Sequence, residues 1–359
     1  VLLVFGLAAV AAGCGSSSGS GASSAPSVSA SQVKGASGQI QVLGWSYYQV
    51  PEQDTGNVTS HWSYPATGPD LITRARSRNF DVITNEKDAV PALESLNTFV
   101  PIDTSLVPSY NQILPQLREE FTTPDGDVIG VPFSVSPWFT AYDSSKVPEP
   151  RTLDDLLKPV YRDAITLQDD PLIVGQIAME QGVEDTSKMT EQELDRAMAF
   201  LDQLRPNVKT FFKVGEDAQL FNSGSVAVSM GSFGTIIAKA IENNPAIKID
   251  FLGAGSFANA WSITRDDNVP ADISWINQAN TVPAVEALVK SSADYPALPQ
   301  ALPALKAADD PVSKELATIP LLKLLEEAPV LQGYAPTATG DLVSIDDVIR
   351  AWDEYKASF

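Results

Sequence analysis

The chain is poor in the residues that most site chemistry needs. Among 359 residues there is one cysteine, Cys14, and one histidine, His61. A disulfide within the chain is therefore excluded, and so is the usual Cys/His zinc site. A Ser-His-Asp relay would have to run through His61, yet no G-x-S-x-G elbow is present and "TSHWSYP" (59–65) reads as a loop. The many acids and tyrosines leave an oxygen-ligand metal such as calcium or iron open, although no loop has the ligand spacing of a calcium site; no cofactor is expected. Positive charge is also scarce. Lysine and arginine number 24 against 45 acids, a formal net charge of −21, and no basic run exists to follow a phosphate backbone, so nucleic acid is excluded as a partner. That balance favours solubility and encounters with cations, and says nothing about fold.

Long apolar runs are missing too. Val1–Ala12 would make a helix of about 18 Å, against about 30 Å of bilayer hydrocarbon, and cannot span it. With Ala11, Ala12 and Gly13 leading into Cys14, residues 1–13 read as the remnant of an export signal and its cleavage site. The motif resembles a bacterial lipobox, with Ala11 where leucine is usual; the resemblance implies that Cys14 carries lipid. The alternative is an ordinary export signal with an incidental cysteine. A diacylglyceryl cysteine supplies the two chains that stable anchoring needs. From Gly15 to about Gly38 the chain is almost wholly Ser, Gly, Ala and Val, which predicts a flexible tether reaching about 25–30 Å. Cys14 and this tether together make residues 14–38.

The remaining body, roughly 320 residues, exceeds the size at which one core usually stays single, so two lobes are expected. Short apolar runs at 40–45, 80–84, 226–230 and 247–253 predict buried strands. Between them lie helices with start signals. Thr190 with Glu193 makes a capping box before an apolar stripe of Leu194, Ala197, Met198, Leu201 and Leu204 that Pro206 stops; Thr152 with Asp155 and Ser344 with Asp347 repeat it. Strands interleaved with helices predict an α/β sheet in each lobe. "TPDGDVIGVPF" (123–133) and "FANAWSITRD" (257–266) are extended stretches suited to crossing between lobes, and ligands favour the crevice between domains.

The segment "GVPFSVSPWFTAYDSSKVPEPRTLDDLLKPVYRDAITLQDD" (130–170), with "LDQLRPNVKTFF" (201–212), "SVAVSMGSFGTIIAKAI" (225–241) and "DYPALPQAL" (294–302), resembles the extracellular solute-binding proteins of ATP-binding-cassette importers. The branch it resembles includes spermidine/putrescine-binding proteins. The resemblance implies a type II periplasmic-binding-protein-like fold: two α/β lobes, each a mixed sheet flanked by helices, joined by two hinge crossings. The implied bounds are 39–140 for the first lobe, 141–260 for the second, 261–320 for a return to the first, and 321–359 for C-terminal helices packing across both. It further implies a non-enzymatic monomer, outside the cytoplasm and lipid-anchored to the outer face of the membrane, that hands a small solute to a membrane permease. Sensing a solute for a membrane partner is an alternative, and a lipid-anchored hydrolase using His61 a remote one.

By position in the family pattern, the cleft would be lined by Trp45, Ser46 and Tyr48 after the first strand, Asp170, Met230, Asn259 on the return crossing, and Tyr295. Two of the acids that pair with polyamine ammonium groups correspond to Ile173 and Ala260, and a stacking tryptophan to Met230. Asp170, followed by Pro171, also reads as a helix cap. After "FDVIT" stand Asn85, Glu86 and Lys87, where a lysine in the cleft would favour an anionic or zwitterionic group. Ser232 and Thr235, where "GSFGT" opens a helix, would do the same. Only seven residues separate Tyr48 from Gly56, and Pro51 interrupts them, so the first helix should be short or absent.

Overall fold

A computed structural model describes residues 26–359. The export signal and the lipidation expected at Cys14 lie outside the described residues. The tether does not extend to residue 38 as expected: Ala30–Gly35 is helical, with Ser29 and Gln32 forming a reciprocal capping box and Val33 buried against the core.

Nine strands form one sheet: β1 (Gly38–Leu43), β2 (Val58–Ser63), β3 (Val82–Glu86), β4 (Val131–Asp143), β5 (Ile165–Gln168), β6 (Val208–Phe212), β7 (Val228–Phe233), β8 (Ile247–Ile263) and β9 (Tyr295–Pro296). Their order is β2-β1-β3-β8-β4-β7-β5-β6, with β9 beside β4. Parallel pairs β1/β2 and β1/β3 make one half, and parallel pairs β5/β6 and β5/β7 the other. The long antiparallel pair β4/β8 runs through both. In the first half Val42 and Val82 face one core while Leu43 and Ile83 face another. A sheet covered on both faces reads as continuous apolar sequence, which is why "IQVL" and "DVIT" carry no alternation. The second half has its own core, in which Leu167, Ile173, Leu194, Leu201 and Trp352 pack together.

The crossing strands differ from expectation. The turn at Thr123–Gly126 closes a small hairpin before the crossing, and the crossing itself is β4. The runs 247–253 and 257–266 belong to a single 17-residue strand, β8. What joins them is a bulge: Trp138 pairs with Gly255 but Thr140 already pairs with Asp250, and Gly253 turns inside the gap at φ +60°, where a side chain would be strained. The strand expected at 226–230 is shifted to Val228–Phe233. "TSHWSYP" is no loop: His61 lies exposed on the edge strand β2, where Val58 and Trp62 turn inward.

Of the three capping boxes, those at Thr190/Glu193 and Ser344/Asp347 are reciprocal. At Thr152 only half forms, because the Asp155 carboxylate accepts from the Arg151 N–H instead. Two single 3₁₀ turns, Ser46–Tyr48 and Pro51–Asp54, replace a first helix. The helix Ile345–Lys356 packs on the second half through Trp352 and Tyr355, which meet Phe211 edge-on. Between it and the first half runs a strap, residues 328–335. It is pinned to β8 by Leu331 N–H donating to the Ser256 carbonyl at 2.8 Å and Ser256 N–H donating to the Pro329 carbonyl at 2.9 Å.

Candidate functional site

The C-terminal ends of β1 and β3 in one half and of β5 in the other face a common cleft, and the residues that follow these strands line it. Trp45 leaves β1 and its indole N–H donates to Glu86 Oε1 at 2.8 Å, tying two strand ends together. Tyr47 lies parallel to Trp45, with ring centroids 6.4 Å apart and planes 2° off. The Tyr47 ring keeps 41% of its surface exposed, yet burial is the first cause that raises its phenol well above the usual tyrosine range. Both hold only for a ring that meets solvent inside a concavity. Tyr48, one residue on in the 3₁₀ turn, meets the Tyr47 ring edge-on with centroids 4.5 Å apart but lies beneath it, 1% exposed and packed edge-on against Phe133.

Three carboxylates, Glu86, Asp88 and Asp170, surround this space, and a fourth, Asp294, lies buried beneath it. Burial first, then the charge of Asp88, holds Glu86 well above the usual carboxylate range, against the Trp45 N–H that lowers it. Asp88 is pushed up to about 7 by burial and by Asp170 across the cleft, and its Oδ1 is buried without a partner. Asp170, at the end of β5, is pushed up to about 6 by burial, opposed by the Leu172 N–H that donates to its Oδ1 at 2.9 Å. Asp294 rises to about 6 through burial, opposed by hydrogen bonds from serines and Tyr48. Their charges reach one another: Asp294 and Asp170 both raise Glu86. Among the described residues no lysine or arginine pairs with any of the four. Lys87 donates to the Glu120 carbonyl at 2.6 Å and stands 3.6 Å from its carboxylate, while Lys356 sits 2.6 Å from Asp169. Nor do three acids converge as metal ligands do among the described residues.

The strap closes one side. Gly333, at φ +72°, lies so tightly on the Asp88 carbonyl that a Cβ there would come within 2.0 Å of the oxygen. Tyr334 then reaches the second half, donating to the Pro171 carbonyl at 2.9 Å, and Gln332 reaches the first, donating to Glu120 Oε2 at 3.0 Å. A cavity of about 490 Å³ opens on the Lys87 side, between Glu120 and Thr123 of one half and Asp185 and Lys188 of the other.

The residues read from the sequence divide. Trp45, Glu86 and Asp170 come together at the cleft; Asp170 is not the cap residue expected, since Pro171 takes that position and Asp170, one residue earlier, accepts the first helical N–H, that of Leu172. Ser46 is exposed beside them. Asn259 and Tyr48 lie beneath the floor, in the waist. Asn85 is fully buried on β3, its Nδ2 donating to Ser262 Oγ at 3.2 Å. Several expectations are corrected. Lys87 is spent on Glu120 and gives the cleft no free cation. Met230 and Ser232 are fully buried, Met230 in the core of the second half and Ser232 donating to Ser229 Oγ at 2.9 Å, so the helix opening at Gly234 offers no exposed hydroxyl at Ser232 for an anion. Thr235 stands in the first turn of that helix. Tyr295 is 5% exposed and packs in the core of the first half. Tyr47, Asp88, Asp294 and Tyr334 were missed. The one available signal was density: "WSYY" crowds functional side chains directly after β1, and "NEKD" does so across the end of β3.

Two halves joined by long crossing strands around an aromatic and acidic cleft define a two-lobed binding protein of the periplasmic type. The model of the bacterial extracellular solute-binding protein family matches residues 52–319, and the chain belongs to that family. Its members are bacterial extracellular proteins that bind solutes. Among solved structures, the spermidine/putrescine ABC transporter substrate-binding protein PotD from Streptococcus pneumoniae, in complex with calcium and HEPES, superposes with a TM-score of 0.71 at 18% identity, over 89% of this chain and 100% of that one. The Tp0655 (TpPotD) lipoprotein of Treponema pallidum gives 0.69 at 17%, over 89% and 99%. The GacH receptor of Streptomyces glaucescens, solved with acarbose, gives 0.68 at 14%, over 90% and 94%. At these identities the likeness concerns the fold. No curated protein sequence matches the chain.

Proposed function

We propose that this solute-binding protein captures a small organic cation bearing amine groups, polyamine-like in charge and length, and delivers it to the permease of an ATP-binding-cassette importer. In this reading it works from the outer membrane face, as a monomer held by lipid on Cys14, with lobes bounded near residues 140, 260 and 320. The observation that carries it is the set of three cleft carboxylates, Glu86, Asp88 and Asp170, that lean on one another with no lysine or arginine in ion-pair contact among the described residues, Lys356 acting on Asp170 only from beside Asp169. Buried charges out of water need partners, and a solute with two or more ammonium groups supplies them. Glu86 and Asp88 come from one half and Asp170 from the other, which suits a molecule with more than one cationic group better than a point charge. Parallel Trp45 and Tyr47 rings offer faces for its methylenes and a cation–π contact. Relatives of the same fold carry names that mention polyamines, and Asp170 is the position at which this chain keeps an acid of that branch. The acids lost at Ile173 and Ala260 are replaced, in this reading, by Asp88, from the half opposite Ile173, and by Glu86, on the strand that pairs with Ala260.

Thermal-shift screening followed by calorimetric titration tests it, with 1,4-diaminobutane, spermidine, amino acids, opines, phosphonates and oligosaccharides. Amines should raise the melting temperature. Asp88→Asn and Glu86→Gln should each weaken the amine at least tenfold, since truncating one member of a desolvated charge pair costs roughly 2–5 kcal/mol. Binding of a sugar or an anion, with no response to amines, would overturn the proposal.

A further inference from the structure

Asp294 lies under the cleft floor and not on it. The helix Val282–Ser292 ends at Ala293 in the left-handed region, φ 58°. β9 follows at once, pairing Tyr295 with Val135 and Pro296 with Ser134. This sets the Asp294 side chain, 5% exposed, against the crossing strands. Its Oδ2 accepts from Ser134 Oγ at 2.7 Å. Ser134 Oγ in turn accepts from Asn259 Nδ2 at 3.1 Å, whose amide also donates to Ser136 Oγ at 2.8 Å. Ser136 Oγ and the Tyr48 hydroxyl share a hydrogen bond of 2.9 Å. The amide nitrogen can only donate, so Ser134 is left to give its own proton to Asp294. The dipoles line up from β8 through β4 to the carboxylate.

An aspartate is an expensive choice here. An asparagine would accept the same proton from Ser134 without carrying a charge into a dry waist. The charge has an audience in the cleft: it raises Glu86 and both Tyr47 and Tyr48. No lysine or arginine pairs with Asp294 among the described residues, and Asn259 Oδ1, buried in the same network, has no hydrogen-bond donor.

We infer that Asp294 is a positioning residue for specificity, which sets the preference of the cleft for a multiply charged cation from beneath its floor, through Tyr48 and the hinge serines, without touching the solute. The inference rests on the proposed amine-binding function. It makes the charge of Asp294, and not its hydrogen bond, the quantity that matters.

Asp294→Asn separates the two. Titrations with 1,4-diaminobutane and with its singly charged analogue 4-aminobutan-1-ol, at pH 7.5, should show the dication weakened about tenfold or more and the monocation clearly less. The melting temperature of the ligand-free variant should be unchanged or higher, and Asp294→Glu should restore part of the dication affinity. The pH dependence of dication binding should flatten in Asp294→Asn. An equal loss for both amines together with a lower melting temperature would make Asp294 structural only, and no loss for either would also overturn the inference. A wild-type protein that binds neither amine would sink the proposed function and this inference with it, whereas wild-type binding with an indifferent Asp294→Asn sinks the inference alone.

Discussion

Protons and an organic cation should compete for the same carboxylates, and the competition can be sized from Asp88 and Asp170. In the empty cleft these groups hold their protons up to about 7 and about 6 respectively. A bound ammonium requires both to be ionised, so binding lowers their pKa and releases protons. The sign follows: affinity is fully present above pH 8 and is lost as pH falls through 7 and then 6. A pH of 5 lies about 2 and 1 units below these two values, and at about 1.36 kcal/mol per unit the penalty reaches about 4 kcal/mol, or about a thousandfold in Kd. The groups are coupled, which makes the titration a property of the cluster, and Glu86, also held well above the usual carboxylate range by burial and by Asp88, adds to the loss in the same direction. Calorimetry with 1,4-diaminobutane at pH 5, 6, 7 and 8, in buffers of different ionisation enthalpy, reads both the affinity and the protons released. Asp88→Asn should remove the larger part of the slope. A Kd unchanged between pH 5 and 8, or tighter in acid, would refute the reasoning and point to an anionic solute.

Three further outcomes concern stability. Asp272 is fully buried with neither carboxylate oxygen partnered, and burial, then the charges of Asp81 and Asp267, push it up to about 8 against the nearby Arg265. Folding therefore keeps it protonated while the unfolded chain ionises above about 4, so stability falls as pH rises from 4 towards 8; Asp272→Asn should flatten that slope in urea unfolding and gain up to about 4 kcal/mol at pH 7, and a variant with wild-type slope would contradict this. Gly333→Ala drives a Cβ into the Asp88 carbonyl, so it should lower the melting temperature by several degrees and weaken solute binding together, whereas wild-type values for both would show the strap to be loosely seated. Thr190→Ala removes one side of a reciprocal cap that contributes no side chain to the cleft acids or aromatics, costing about 1 kcal/mol in unfolding with Kd unchanged.

The fold was more legible than the site, for reasons visible in particular residues. Strands covered on both faces announce themselves as short apolar runs, and Thr190 with Glu193 marks a helix start within four residues of sequence. Single-residue phase is harder to read. In "WSYY" the 3₁₀ turn sends Tyr47 into the cleft and Tyr48 into the core, and nothing in three crowded aromatics fixes which goes where. β2 was missed because "VTSHWS" mixes polar and aromatic residues on an edge strand, and the bulge at Gly253 hid the continuity of β8. The acids could not be read at all: Asp88 and Asp170 are 82 positions apart, and their opposition across the cleft arises only when β3 and β5 are brought to the same end of one sheet. Asp294 lies in an apparently ordinary "SADYP", and its meaning comes from Ser134 and Asn259, which belong to other strands.

The strap gives the two halves a third tether besides β4 and β8. Because Gln332 and Gly333 grip one half and Tyr334 the other, any gaping of the jaws must strain or release this stretch, whatever solute is inside. A dye attached at position 332, outside the aromatic floor, would therefore change its surroundings with each capture and release, and the receptor could serve as an optical gauge of its own cargo.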